Sequence, residues 1–260
     1  MTLRSPVGAL PVGGPEIPRD LSDGAANRVT VHLSASMMCA RFDNMGAEIR
    51  HLTAAGIDSL HFDMMDGHFV PSLGFGIDAI RALRSRSELP LHGHAMVDCP
   101  EAFIDAMAAA GCNMYQFHVE ATRFPRRMVT RVHDAGMHCG LVINPATPLD
   151  YLADGHGADL VLVMAVEPGF AAQSWIEDTP RRVAEIRKRV PNGVALGVDG
   201  HVNSATGLAT AKAGANLFVC GTAALFGRGG GYAANLRHLR QALVRGAAAL
   251  QPAGERNPGA

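Results

Sequence analysis

Hydrophobic and polar positions follow two rhythms along the chain: a period of two in short apolar runs, and a period near 3.6 in the longer stretches between them. The short runs predict strands over residues 29–36, 59–64, 91–97, 114–118, 138–143, 160–166, 194–198 and 217–220. The intervening spacing predicts helices ending near 55, 86, 111 and 135, a short one at 149–153, and longer ones over 179–190, 204–213 and 233–250. In the first helix Met45, Ile49 and Leu52 share a face, and Asp43 or Asn44 stands where a cap belongs. Pro100 opens one helix, and Gly111, Gly136 and Gly214 stand where helices close.

Short apolar strands that alternate with amphipathic helices imply a parallel sheet covered on its outer face. Eight such units in a chain of 260 residues point to a closed (β/α)8 TIM barrel rather than an open doubly wound sheet. No G-x-G-x-x-G follows the first strand, which also argues against a dinucleotide-binding sheet. The barrel is expected over residues 29–251, between a flexible Pro- and Gly-rich extension at 1–28 and a flexible tail at 252–260. The extension lacks the apolar core of a secretion signal.

Charge and cysteine content narrow the function classes. A formal net charge of −1 offers nothing to nucleic acid or to a membrane surface. No apolar run approaches the roughly eighteen residues that a span requires. The charged runs at 81–86 and 181–189 read as solvated helix faces. The 5 cysteines form no C-x-x-C pair, the pattern of reduced thiols in a cytoplasm rather than of a disulfide framework or a structural zinc site.

The chemistry collects at strand ends, where barrels of this kind keep their sites. His61, Asp63 and Met65 share one face of the second strand, and His92, His94 and Met96 one face of the third. Ser36, Met38, His118, Glu120, Asn144, Met164, Glu167 and Asp199 end other strands. Each alone suits a hydrogen-bonded strand-end residue. Together, two His and two Asp converging from three strands make a four-ligand N/O set for Zn, Mn, Fe or Co. If Asp63 and Asp199 flank a substrate carbon, one can remove a proton while the other returns one from the opposite face, through a metal-stabilised enediolate. Met38, Met65, Met96 and Met164 serve equally as an apolar cavity wall or as plain barrel filler. Gly200 and the Gly221-Thr222 pair stand where barrels hold phosphate, and the loop Pro168-Gly-Phe-Ala-Ala-Gln173, with Gly169, can close as a lid.

Those residues sit in recognisable runs: Ser34-Ala-Ser-Met-Met-Cys39, His61-Phe-Asp-Met-Met-Asp-Gly-His-Phe-Val-Pro71, His94-Ala-Met-Val97, Asn144-Pro-Ala-Thr-Pro148, Val163-Met-Ala-Val-Glu-Pro-Gly-Phe170, Val198-Asp-Gly200 and Gly221-Thr222. From about Val29 to Leu250 the chain resembles the ribulose-phosphate 3-epimerase family, and the D-x-M-D-G-H-F-V-P run is the most specific part of the match. The resemblance implies a barrel of the ribulose-phosphate-binding type, an isomerase of carbohydrate metabolism and the pentose phosphate pathway. It implies one divalent cation (Zn, Fe, Mn or Co) per subunit on His61, Asp63, His94 and Asp199. Asp63 and Asp199 would be the acid/base pair. Ser36, His94 and Gly169 would touch substrate, and Gly200, Gly221 and Thr222 would cradle its phosphate. A small sugar phosphate is the implied partner, and a cytoplasmic homo-oligomer the implied form.

Departures from the family pattern cluster at the substrate end. Ala171-Ala172 replaces the usual pair of glycines in the lid, His201 follows Val198-Asp-Gly in place of glycine, and His92 stands where Asp is usual. Ribulose 5-phosphate to xylulose 5-phosphate is the default reaction. A longer ketose phosphate such as allulose 6-phosphate, or a non-catalytic sugar-phosphate-binding barrel, is the alternative. A lyase fits poorly, because lysine occurs only at 188 and 212, both on predicted helices.

Overall fold

In a computed structural model, residues 30–250 are described. The extension expected at 1–28 and the tail at 252–260 lie outside them. Eight parallel strands form a closed barrel in sequential order, β1 (His32–Ser36), β2 (Ser59–Met65), β3 (Leu91–Met96), β4 (Met114–His118), β5 (His138–Ile143), β6 (Leu160–Met164), β7 (Ala195–Asp199) and β8 (Leu217–Cys220), and β8 pairs back onto β1. Around them run α1 (Met45–Ala55), α2 (Ile77–Arg84), α3 (Ile104–Ala109), α4 (Pro125–Asp134), α5 (Thr179–Arg189), α6 (Ser204–Lys212) and α7 (Tyr232–Ala248). Among the described residues no helix is long and apolar enough to cross a membrane.

Alternation along each strand gives the barrel two cores. Outward side chains such as Leu33, Phe62, Tyr115 and Val161 pack with the apolar faces of the helices. Inward ones divide by strand. Leu160, Leu162, Val142, Ala195, Leu217 and Val219 make a hydrocarbon cluster on the β5–β8 side. On the β1–β4 side His32, Ser34, Ser59, His61, Asp63, His92, His94, Gln116 and His118 are all buried. A barrel interior that polar on one side is a prepared site or a costly defect, because buried polar groups require partners.

Several local expectations need correction. Asn44 sits at the N-terminal cap of α1, but its side chain makes no capping bond. The segment from Pro100 starts as a 3-10 turn, Pro100–Phe103, before α3 begins, and the segment after β5 is also only a 3-10 turn, Leu149–Leu152. β6 leaves the sheet at Met164 rather than 166. The run at 181–189 is not wholly solvated: Arg182 donates to the carbonyls of Asn144 and Thr147 (3.0 and 2.9 Å), and Arg187 to that of Val194 (2.8 Å). A π-helical turn, Thr222–Phe226, follows β8 and had no signature in the hydrophobic pattern.

Candidate active site

Strand register brings the four metal-ligand candidates together. Asp63 pairs with His94 across β2 and β3, and Asp199 ends β7 on the facing wall. One donor atom from each of His61, Asp63, His94 and Asp199 lies within 4.8 Å of the other three. His61 Nε2 is 3.3 Å from Asp63 Oδ1 and 3.6 Å from Asp199 Oδ2; His94 Nδ1 is 3.3 and 3.7 Å from the same oxygens. The two ring nitrogens are 3.2 Å apart. Among the described residues no Lys or Arg lines the pocket above them. Two carboxylates enclosed with imidazoles but no ammonium or guanidinium group call for further positive charge, and four lone-pair donors turned on one point suit a divalent cation. These residues fit such an ion.

The electrostatics separate the two acids. Burial alone would raise Asp63, but the facing imidazoles of His61 and His94 outweigh it and hold the carboxyl below the ordinary range. Asp199 is pushed up, first by burial and then by the charge of Asp63, against the pull of His61 and His94. Although burial opposes it, His61 is raised, because both carboxylates favour its charged form. The Ser36 hydroxyl donates to Asp63 Oδ2 at 3.2 Å, so Ser36 braces an acid besides standing at the pocket.

The substrate and phosphate candidates other than His94 line one pocket of about 600 Å³ that opens to solvent; Asn144 is not part of that lining, and His92, expected at the substrate end, is buried against His32 instead. Gly169, Gly200, Gly221 and Thr222 are there, with Met38, Met65, Met96 and Met164. Gly200 is at φ +108°, and a Cβ on it would come within 2.7 Å of Val166. No side chain fits. The first turn of α6 is less available to a phosphate than its position implies, because the Asn203 side chain already accepts from the N–H groups of Ala205 and Thr206. His201 lies on the rim at φ +50°, its Nδ1 donating to the Gln173 carbonyl at 2.7 Å, and Ala172 is left-handed at φ +60°. Gln173 in turn donates to the carbonyls of Glu167 and Phe170, so the loop at 168–173 is folded on itself and tied to the loop after β7.

Sequence reasoning placed His118 and Glu120 at a strand end but did not join them to the cluster. His118 Nε2 is 2.9 Å from His94 Nε2, and His118 Nδ1 is 3.4 Å from Glu120 Oε2. Burial lowers the His118 ring to about 4. The H-x-E spacing after β4 echoes the H-x-D of β2 and was the available signal.

Fold and site together define an α/β-barrel enzyme with a two-His, two-Asp donor set at the C-terminal mouth of its strands. Solved barrels of low identity share the architecture: 3-hexulose-6-phosphate synthase from Salmonella typhimurium (TM-score 0.62, 16% identity, 83% of this chain and 99% of that one) and orotidine 5'-phosphate decarboxylase from Pyrococcus horikoshii (0.61, 14%, 81% and 98%). The ribulose-phosphate 3 epimerase family matches residues 32–226. Ribulose-phosphate 3-epimerase 1 of Cupriavidus necator is 38% identical over 86% of this chain and 98% of its own. The Escherichia coli and Bacillus subtilis ribulose-phosphate 3-epimerases are 37% and 34% identical, each over 74% of this chain and over 87% and 91% of their own. The chain belongs to the ribulose-phosphate 3-epimerase family, and it is an isomerase.

Proposed function

We propose that this enzyme interconverts D-ribulose 5-phosphate and D-xylulose 5-phosphate by moving a proton between the two faces of C3. The observation that carries the reading is the meeting of Asp63 and Asp199, from β2 and β7, at one cluster of four donor atoms. His61, Asp63, His94 and Asp199 would hold one divalent cation. Once bound, it would supply positive charge beside the oxygens that become anionic when C3 loses its proton.

The chain's own groups do the rest. An ionised carboxylate on one face of C3 takes the proton, and the C–H electron pair moves into the C2 carbonyl to give an enediolate. The second aspartate delivers a proton to the other face. Two acids whose environments pull them apart, Asp63 towards the ionised form and Asp199 towards the protonated one, suit opposite assignments. Return in the other direction exchanges the roles. The Ser36 hydroxyl steadies Asp63. The four methionines keep water from the carbanionic carbon. Gly200, Gly221 and Thr222 offer backbone to the phosphate, with Gly169 in the lid above.

A second reading has one observation behind it. His201 and Ala172 reshape the rim where the phosphate end of the substrate would lie, and that favours a ketose phosphate of another length, such as allulose 6-phosphate. The test is a panel of four- to six-carbon ketose phosphates, with metal content measured on the same preparation. Ribulose 5-phosphate is expected to give the highest kcat/KM, and metal removal to abolish turnover of every substrate. Preference for a six-carbon ketose phosphate would reverse the choice of substrate, and full activity of metal-free protein would remove the cation.

A further inference from the structure

His94 can serve a cation only if its Nδ1 presents a lone pair rather than an N–H. With no ion present the Asp63 carboxylate, 3.3 Å from Nδ1, favours an N–H there. The opposite bias comes from the far side of the ring. Glu120 Oε1 is held by the Asn144 backbone N–H at 2.9 Å, and Glu120 Oε2 faces His118 Nδ1 at 3.4 Å, with the Asn144 side chain also beside that ring. A carboxylate can only accept, so the proton of a neutral His118 belongs on Nδ1. Its Nε2 then has a lone pair, 2.9 Å from His94 Nε2. Two imidazole nitrogens at that distance bond only when one of them carries hydrogen. A His94 that donates from Nε2 satisfies this contact and leaves its Nδ1 bare towards Asp63, Asp199 and His61, the form a cation requires.

His118 Nδ1 and Glu120 Oε2 are both buried without another hydrogen-bond partner and face each other at 3.4 Å. His118 and His94 are both at 0% exposure, their ring centres are 5.0 Å apart with 19° between planes, the edge-to-edge approach of an N–H···N bond, and Phe69 lies 4.7 Å from His118. Resting on the cation reading above, we propose that Glu120 and His118 are positioning residues that fix the tautomer of His94 through a chain of two imidazoles. Glu120 touches neither substrate nor cation. It acts by setting which nitrogen of His118 carries the proton, and through the His118–His94 bond which nitrogen of His94 does. Partners that orient a metal-bound histidine through its other nitrogen are a general feature of such sites.

The near-isosteric change Glu120→Gln tests the direction. The Asn144 N–H requires the amide oxygen on its side, which turns the amide NH2 towards His118. His118 Nδ1 must then accept, its Nε2 must donate, and the proton of His94 moves to Nδ1, into the place of the ion. In apo protein titrated with Co2+ against a competing chelator, Glu120→Gln is expected to lose roughly 10–100-fold in affinity while unfolding at nearly the wild-type temperature. Glu120→Asp, which keeps an acceptor, is expected to recover part of the loss. His118→Phe is expected to weaken Co2+ less than Glu120→Gln, and the double variant to match His118→Phe alone, because the reversed bond no longer reaches His94. A merely structural Glu120 would give additive losses instead. Wild-type Co2+ affinity in Glu120→Gln overturns the relay alone; failure of the wild-type protein to bind Co2+ overturns it together with the cation reading. A second measurement needs no variant. Long-range 1H–15N spectra of the wild-type protein are expected to show His118 protonated at Nδ1, and protonation at Nε2 would overturn the relay.

Discussion

The two ends of the barrel use the same kinds of side chain to opposite purpose. At the N-terminal end Asp58, Asn113, Asp159 and Asn216 each precede an even-numbered strand. Each side-chain oxygen accepts from a backbone N–H of the preceding odd strand, at Leu33, Leu91, Cys139 and Leu196 (2.7, 3.0, 2.9 and 3.0 Å). Each residue's own N–H returns a bond to the carbonyl of the same partner, at 2.9–3.0 Å. Asp58 also has Arg240, and Asp159 has His133 and His138. These are clasps. At the other end Asp63 and Asp199 face imidazoles and each other, and among the described residues no Arg or Lys lines the pocket. An acid satisfied by backbone donors braces a strand; an acid turned on a second acid is kept reactive.

Substitutions at the two ends should therefore separate activity from stability. The largest effect is expected from Asp199→Asn, which should lower kcat by about 10²–10⁴-fold, the usual worth of a general acid or base, with the unfolding temperature little changed. Unaltered turnover would remove Asp199 from the proton-transfer pair. Asn216→Ala at the clasp end should do the reverse. It leaves the Leu196 N–H buried without its acceptor, so urea unfolding should show a loss of about 1–3 kcal/mol at unchanged kcat/KM.

Asp159→Asn sharpens the contrast through pH. Burial would raise Asp159, but hydrogen bonds from His138, the Cys139 N–H and His133 hold it below the ordinary carboxylate range. A depressed folded-state value means that the charge stabilises the fold fully above the unfolded value of about 4, and that this contribution is lost as pH falls towards the folded value. The stability gap between wild type and Asp159→Asn should be constant near neutrality and shrink in acid. A gap that stays constant down to the acid limit of folding would contradict the clasp's charge. The smallest effect is expected at the rim. His201→Gly relieves a left-handed non-glycine residue but frees the unfolded chain, so stability should change by less than about 1 kcal/mol. It should also raise kcat/KM for ribulose 5-phosphate, and no kinetic change would mean that His201 does not shape the substrate site.

Much of this contrast was legible in the chain. The limits of β5 and β8 follow the apolar runs, because a buried parallel strand is largely apolar on both faces. The apolar run at 160–166 overstates β6, since hydrophobicity reports burial rather than the hydrogen-bond ladder, and Ala165 and Val166 are buried outside the strand. The clasps carry a repeated signal, Gly56-Ile-Asp58, Gly111-Cys-Asn113, Gly157-Ala-Asp159 and Gly214-Ala-Asn216, each glycine at positive φ. Only the fold shows what that spacing holds, because the accepting side chain and its donor lie on different strands. The H-x-D of β2 pointed to a metal set for a local reason, two side chains on one strand face. The bond from His94 to His118 joins β3 to β4, and the local H-x-E pattern marks His118 and Glu120 without telling which strand they meet.

The most direct measurement follows the C3 proton by 1H NMR in D2O, starting separately from each pure epimer, with wild type, Asp63→Asn and Asp199→Asn. Wild type is expected to place deuterium at C3 as it converts either epimer. Each variant should lose conversion, with any residual exchange confined to one epimer and the opposite epimer for the other variant. Conversion without deuterium at C3, or full conversion by either variant, would contradict two aspartates acting from opposite faces.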